Sequence, residues 1–397
     1  MEIIEVEARH FPRSMWGDFW QQQQSVRAPN PVSRFPQRGS GWSWYTWPQG
    51  IVIVRIKLSN GVTGIGYAED GVGSATQMIN GHLSRLCVGM DAMATESIWE
   101  LLYRASIVYG RKGAAIEAIS AIDIALWDTI GKSLEMPVYR LLGGHDRGTV
   151  RAYASKIHPD DDLQEVRRMA RDYVDRGYLG VKANAPYGPS DGRSGILMNL
   201  RYLEAIRDEI GDEIDLMVDA YMGWDRAFAS MMLKSLGDFR LTWLEEPLIP
   251  DDIAGHAWLR GQGIVPIATG EHEFTRYGFQ ALIDAGAADY LQPDIHRVGG
   301  LTEFRRICNM ASGSSIEVVP HVYSAATLHG VLSQPNCHWI EHLTTPSYWA
   351  TGERLAPLFT GEPAIENGIP QTPSQPGIGI RVNSTAMPEM VDWEMES

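Results

Sequence analysis

Met217-Val218-Asp219, Trp243-Leu244-Glu245-Glu246-Pro247 and Thr269-Gly270-Glu271-His272 decide how this chain reads. Each is a short apolar run that leads into a carboxylate. Asp219 to Glu245 is 26 residues (245 − 219), and Glu245 to Glu271 is again 26 (271 − 245). One strand, one helix and their two turns fill such a step. In a parallel barrel all strands end on the same face, so acids one step apart converge there. A single acid after an apolar run is usually a solvated loop residue or a helix cap. Three at equal steps form an oxygen-rich site suited to a hard dication such as Mg²⁺.

Outward from these runs the same rhythm continues. β-rich stretches lie near Arg151–Ala154, Gly180–Lys182, Ile214–Asp219, Leu241–Glu245, Ile264–Thr269, Tyr290–Asp294, Ile316–Pro320 and His338–His342, with helical patterns between them. Eight strands alternating with helices predict a parallel barrel. Most runs end in a polar residue: Lys182, Asp219, Glu245, Asp294, His321 or Glu341.

The region before Arg151 has a different character. Glu2 to Arg9 alternates like a strand. Ile51–Leu58 and Thr63–Ala68 are joined by Ser59-Asn60-Gly61, a hairpin signal. Ile116, Ile119, Ile122, Leu126 and Ile130 recur at helical spacing within about Gly113–Gly131. Strands followed by helices predict an α+β domain over residues 1–135. Residues 14–50 carry Trp16, Trp20, Trp42, Trp44 and Trp47 among Gly, Pro and Gln, and read as a lid. Residues 136–355 are the barrel. The Pro- and Gly-rich tail, 356–397, is expected to pack back on the first domain.

Composition excludes several classes. The chain has 397 residues, which suits a barrel of roughly 250 residues plus a smaller domain. Its formal net charge of −15 disfavours nucleic acid and anionic membranes as partners. An anionic substrate stays admissible, because a bound dication reverses the local field. Cys87, Cys308 and Cys337 show no close pair in the sequence, against a disulfide framework or a zinc site. A reducing, cytoplasmic location is expected. The start, Met1 to His10, is acidic and alternating, unlike a signal peptide. The most apolar helical stretch, Ile116 to Leu134, contains Glu117, Asp123 and Asp128 and reads as a buried soluble helix.

The three acidic runs, together with Gln292-Pro293-Asp294, Val319-Pro320-His321, Ile122-Asp123-Ile124-Ala125-Leu126-Trp127-Asp128 and Leu141-Leu142-Gly143-Gly144, resemble the mandelate racemase subgroup of the enolase superfamily. The resemblance covers nearly the whole chain. It implies a modified TIM barrel, (β/α)7β, with an N-terminal α+β capping domain. It implies Asp219, Glu245 and Glu271 as Mg²⁺ ligands, with Glu246 a neighbour. It makes His321 the general base, oriented by Asp294, and Glu341 a partner of the substrate carboxylate. It also implies a small sugar-acid substrate and a homo-oligomer, an octamer among the expected states.

The second strand departs from the racemase. Where that enzyme carries Lys-x-Lys, this chain has Lys182-Ala183-Asn184. Racemisation needs a base on each face of the alpha carbon, and an amide does not titrate near neutrality. Lys182 is therefore expected to hold the substrate or its developing charge. Tyr187-Gly188-Pro189-Ser190-Asp191-Gly192 and Pro29-Asn30-Pro31-Val32-Ser33-Arg34 are most similar to the rhamnonate dehydratase group. Arg38-Gly39-Ser40-Gly41-Trp42 departs from that group, so Arg38 or Arg34 is the candidate to reach the substrate. Tyr221 and His272 flank the acids and are further candidate pocket residues. The expected reaction is C2 proton abstraction and loss of the 3-hydroxyl, the enediolate being stabilised by the metal and by a protonated Glu341. The alternatives are a racemase or epimerase on this scaffold, and a non-catalytic sugar-acid binding protein.

Overall fold

The structure is a computed structural model. It describes residues 1–12, 29–35, 50–144, 150–157, 159–343, 358–384 and 390–394. Most of the expected lid, including its five tryptophans and Arg38, lies outside the described residues.

Ile3–Pro12 (β1), Gly50–Leu58 (β2) and Thr63–Glu69 (β3) form an antiparallel sheet in that order. At the β2–β3 turn the Val62 N–H donates to the Asn60 side chain, and Gly61 takes φ 87°. Ser74–Met78 (α1), Ser84–Cys87 (α2), Thr95–Ser106 (α3) and Ala114–Ser133 (α4) follow. Helix α4 is buried on nearly every side, since β2 and β3 cover one face and the barrel helices the other. Gly66 lets the sheet lie flush on it. A Cβ there would stand 2.3 Å from the Ala121 carbonyl and the Ala125 nitrogen. The buried Asp128 of α4 accepts from the N–H groups of Ile65 and Ile378, each at 2.8 Å. One carboxylate thus joins the sheet, the helix and the C-terminal segment.

After Val138–Leu141 (α5) the barrel begins. It runs Arg151–Ile157 (β4), Leu163–Asp175 (α6), Gly180–Asn184 (β5), Gly192–Ile210 (α7), Asp215–Asp219 (β6) and Arg226–Leu236 (α8). Trp243–Glu245 (β7), Ile253–Arg260 (α9), Ile267–Thr269 (β8), Thr275–Asp284 (α10) and Tyr290–Leu291 (β9) continue it. Ile295–Val298 (α11), Gly300–Gly313 (α12), Glu317–Val318 (β10), Ala325–Ser333 (α13) and Trp339–Leu343 (β11) complete it. The strands form one parallel sheet in the order β10-β9-β8-β7-β6-β5-β4-β11. Its ends meet through backbone bonds from Val318 to Asn336 (2.9 Å) and from Tyr323 to Glu341 (2.7 Å). This is the expected (β/α)7β barrel with its N-terminal cap.

Polar caps start several helices on the strand-end side: Asp225 for α8, Asp252 for α9, Asp294 for α11 and Ser324 for α13. Inside, Tyr153, Met217, Trp243, Ala268, Val319 and Trp339 form a buried apolar floor. That floor keeps water from reaching the strand ends from below.

Three expectations about strand ends need correction. Strand β5 runs to Asn184, so Lys182 is an interior strand residue, paired with Met217, and Asn184 stands level with Asp219. Glu341 lies in the middle of β11. Asp294 and His321 follow their strands in loops, because β9 and β10 are only two residues long. The C-terminal segment returns to the first sheet: Asp392 pairs with Arg9 at 2.9 Å, and Arg9 and Arg55 lie over the Trp393 ring. Cys308 and Cys337, distant in sequence, come to 3.8 Å between sulfurs without a disulfide. Among the described residues no helix is long and apolar enough to cross a membrane.

Candidate active site

The apolar floor ends at Lys182, whose ammonium is buried 5.8 Å from the centre of the Tyr153 ring. Its nitrogen lies 2.5 Å from Glu245 Oε1, 2.7 Å from Glu341 Oε1 and 3.9 Å from Asp219 Oδ2. Burial alone would lower its pKa, but Glu245 and Glu341 hold it well above the ordinary value. Lys182 is thus a fixed cation at the bottom of the mouth.

Each acid around it is held by further donors. The second oxygen of Glu245 accepts from Trp243 Nε1 (2.9 Å) and Gln292 Nε2 (2.8 Å). Asp219 accepts from the Tyr221 N–H at 2.8 Å and from Asn184 Nδ2 at 3.3 Å. Glu341 accepts from Ser155 Oγ at 2.6 Å and from the Val322 N–H at 3.0 Å. Burial would raise Glu341, yet Lys182 and His321 bring it down to about 2. Glu341 is therefore an ionised acceptor in this arrangement. Glu245, by contrast, is raised by burial and by the charges of Glu341 and Glu271, against the pull of Lys182.

Above this layer lies the expected dyad. His321 Nδ1 donates to Asp294 Oδ2 at 2.7 Å, and its Nε2 is 3.5 Å from Glu271 Oε2 and 4.0 Å from Glu341 Oε2. Burial opposes a charged imidazole, but Glu271 and Asp294 overcome it and raise His321 to about 9. Burial would likewise raise Asp294, but the His321 hydrogen bond and Arg297 carry it far below its ordinary range. The loops here are strained. Val322, next to His321, has φ 58°, and Tyr221, Met222 and Glu246 have φ 44°, 58° and 39°.

The structure brings Lys182, Asp219, Glu245, Glu271, Asp294, His321 and Glu341 into one linked set. His272 joins it at the edge: its Nδ1 is 2.8 Å from Glu246 Oε2 and 3.5 Å from Glu271 Oε1. Tyr221 lies edge-on to His272, 5.4 Å between ring centres. Arg34 is exposed on the turn Pro31–Arg34, and no contact joins it to the carboxylates among the described residues.

Glu246, Glu271 and His272 place possible ligand atoms within 4.8 Å of one another. Their short contact, His272 Nδ1 to Glu246 Oε2, is at hydrogen-bond distance, and an imidazole nitrogen is a softer donor than a carboxylate oxygen for a hard cation. Asp219, Glu245 and Glu271, the set expected from the sequence, do not gather as closely among the described residues, but each offers carboxylate oxygen at or just past the end of successive strands, the donor type a hard cation takes. Sequence reasoning missed Ser155, Trp243, Gln292 and Arg297 as members of the site. Gln292 had a signal, standing two residues before Asp294 at a strand end. Ser155 had none beyond its place in a β-rich run.

Residues 25–143 match the model of the mandelate racemase / muconate lactonizing enzyme N-terminal domain, and residues 165–386 match the enolase C-terminal domain-like model. L-rhamnonate dehydratase of Saccharopolyspora erythraea is 34% identical over 357 residues, 89% of this chain and 88% of that one. A putative L-rhamnonate dehydratase of Caldivirga maquilingensis is 35% identical over 358 residues, 89% and 86% of the two chains. The crystal structure of a rhamnonate dehydratase from Gibberella zeae complexed with Mg superposes with a TM-score of 0.86 at 30% identity, covering 98% of this chain and 95% of that one. The chain belongs to the mandelate racemase / muconate lactonizing enzyme family of the enolase superfamily.

Proposed function

We propose that the protein is a Mg²⁺-dependent hydro-lyase that converts a sugar acid, an aldonate such as rhamnonate, to its 2-keto-3-deoxy acid. One observation carries the reading: His321, fixed by Asp294, lies 3.5 Å from an acid of the buried three-carboxylate set. The similarity to rhamnonate dehydratases supports the substrate class. The donor set fits a dication, because Lys182 and His321 face the four acids Asp219, Glu245, Glu271 and Glu341 and leave negative charge in excess. Asp219, Glu245 and Glu271 would hold the Mg²⁺, which would supply Lewis-acid stabilisation of charge on the substrate carboxylate.

The chain's own residues do the rest. His321 Nε2 takes the C2 proton, while Asp294 fixes the tautomer and supports the imidazolium. Lys182, not Glu341, donates to the developing enediolate, since Glu341 is ionised and orients Lys182. His321 then returns its proton to the departing 3-hydroxyl. With Glu271 neutralised by a cation, the largest influence raising His321 is removed, and the imidazole moves toward the pH range where a base is useful. The same reading expects a cytoplasmic homo-oligomer.

His272 is a second imidazole and the residue on which an epimerase reading would stand. The test is a panel of aldonates and aldarates with Mg²⁺, followed by 2-keto acid formation in deuterated water. Deuterium at C3 of a keto acid is the expected product, and chelation should stop turnover. A C2 epimer formed without water loss would sink the hydro-lyase reading.

A further inference from the structure

Arg297 is the residue that the chemistry above leaves unexplained. It sits in the single turn α11, three residues after Asp294, and its side chain is 8% exposed. Nη2 reaches both oxygens of Glu69 at 3.1 Å, and Nε reaches Glu69 Oε2 at 3.3 Å. Nη1 donates to the backbone carbonyl of Glu271 at 3.1 Å. The same guanidinium stops 3.9 Å from Glu271 Oε1 and 3.8 Å from Asp294 Oδ2.

Three carboxylates therefore surround one cation, and only one has it. Glu69 is the last residue of β3, in the capping sheet, paired with Ile51 of β2. A buried guanidinium binds a carboxylate best through two parallel hydrogen bonds. Glu69 takes that geometry and leaves Glu271 and Asp294 beyond direct bonding distance. Without the Glu69 charge, the guanidinium would move less than an ångström or so to bond either of them. Asp294 would then share its oxygen between His321 and Arg297, and Glu271 would be neutralised from within the protein.

We infer that Glu69 and Arg297 form a positioning pair, in which the cap's carboxylate holds the guanidinium off Asp294 and the Glu271 side chain while the guanidinium anchors the Glu271 backbone. The inference rests on the metal-and-base reading of the site. It makes the capping sheet a part of the catalytic apparatus in addition to covering it. Burial disfavours the Arg297 charge, but Glu69, Asp294 and Glu271 hold its pKa well above the ordinary value.

The bland reading is an ordinary cap-to-barrel ion pair. Glu100 to Arg276, 3.1 Å, is such a pair and touches none of the acids of the site. The test compares Glu69→Gln, Glu100→Gln and Arg297→Lys with wild type. Mn²⁺ binding is followed by electron paramagnetic resonance, alongside kcat and KM on the active sugar acid and the melting temperature. Glu69→Gln should weaken Mn²⁺ binding and lower kcat by about 10-fold or more each, with a smaller change in KM, the size seen when groups supporting metal ligands are removed. Arg297→Lys keeps the charge but cannot span Glu69 and the Glu271 carbonyl, so it should lose part of both. Glu100→Gln should keep both within about twofold, the range expected for a half-exposed pair.

Equal losses in Glu69→Gln and Glu100→Gln, or none in Glu69→Gln, overturn the inference. Should Glu69→Gln fail to fold, Arg297→Lys decides by the same two readouts. A wild type that binds no Mn²⁺ removes the reading of the site and this inference with it. A wild type that binds, with Glu69→Gln unchanged, removes the inference alone.

Discussion

Two histidine–carboxylate pairs flank Glu271, and they differ less in distance than in wiring. His321 to Asp294 is 2.7 Å and His272 to Glu246 is 2.8 Å. Each histidine also stands 3.5 Å from one oxygen of Glu271. His321, however, gives Nδ1 to its acid and Nε2 to the mouth. His272 approaches both Glu246 and Glu271 through the same Nδ1. The acids differ too. Asp294 is braced by the His296 N–H at 2.7 Å and by the field of Arg297. Glu246 sits at φ 39°, and its Oε1 has no hydrogen-bond partner among the described residues. A short His–carboxylate distance therefore does not by itself mark a base. What sets His321 apart is that its second nitrogen faces Glu271 while the acid on its first is held by a further backbone donor.

The largest effect should separate the two imidazoles. His321→Asn is expected to lower kcat by about 10²–10⁴-fold while substrate still binds, because a general base is lost but the Lys182 contact remains. His272→Asn should cost about tenfold or less, as expected of a pocket residue that moves no proton. Both are read from steady-state kinetics and a substrate-binding isotherm. A His272→Asn enzyme as dead as His321→Asn would erase the distinction and revive the two-base reading.

The acids should follow their histidines at smaller scale. Asp294→Asn should lower kcat by roughly 10–100-fold, the usual cost of removing the group that orients a working imidazole. Glu246→Gln keeps an acceptor for His272 Nδ1–H, so its effect should stay within about threefold. Mn²⁺ affinity should change little in Asp294→Asn. A loss of metal in that variant would show that Asp294 acts through Glu271 and not through His321.

The parts of this site differ in how far the sequence discloses them. Asp219, Glu245 and Glu271 were legible because the barrel repeats, and 26 residues bring one strand end to the next. Glu246 and His272 stand at the same step (272 − 246 = 26), so their pairing was open to the same arithmetic. The Lys182–Glu341 contact was not. It joins β5 to β11 across the barrel floor, and Glu341 sits in mid-strand, where a strand-end rule does not look. Glu69 and Arg297 are 228 residues apart, one at the end of a capping-sheet strand and the other in a helical turn of the barrel. Nothing periodic links them, since their meeting depends on how α4 packs the cap against the barrel. The fold followed from alternation and turn chemistry, which are local. The wiring of the charges follows from packing, which is not.

A further expected effect concerns stability, not turnover, in the absence of metal. His321 is raised to about 9 from an ordinary value near 6.5, so the folded protein binds its proton more tightly than the unfolded chain. The sign follows from that order. The contribution is complete below about pH 6.5 and is lost as pH rises through about 9. A shift of this size corresponds to roughly 3 kcal/mol, to order of magnitude. Glu117, pushed up to about 8 by burial and by Glu69, and Asp123, raised to about 7 by burial, tilt stability in the same direction. The informative quantity is therefore the difference between wild type and His321→Asn. Urea unfolding of the metal-free proteins at pH 6, 7.5 and 9 should show the wild type losing more stability than His321→Asn over that interval. Mg²⁺ should shrink the difference, because a cation on Glu271 weakens its hold on the imidazolium. A difference that does not change with pH would mean that Glu271 and Asp294 do not hold the His321 proton as their 3.5 and 2.7 Å contacts require. The asymmetry between the two histidine pairs would then have to lie outside electrostatics.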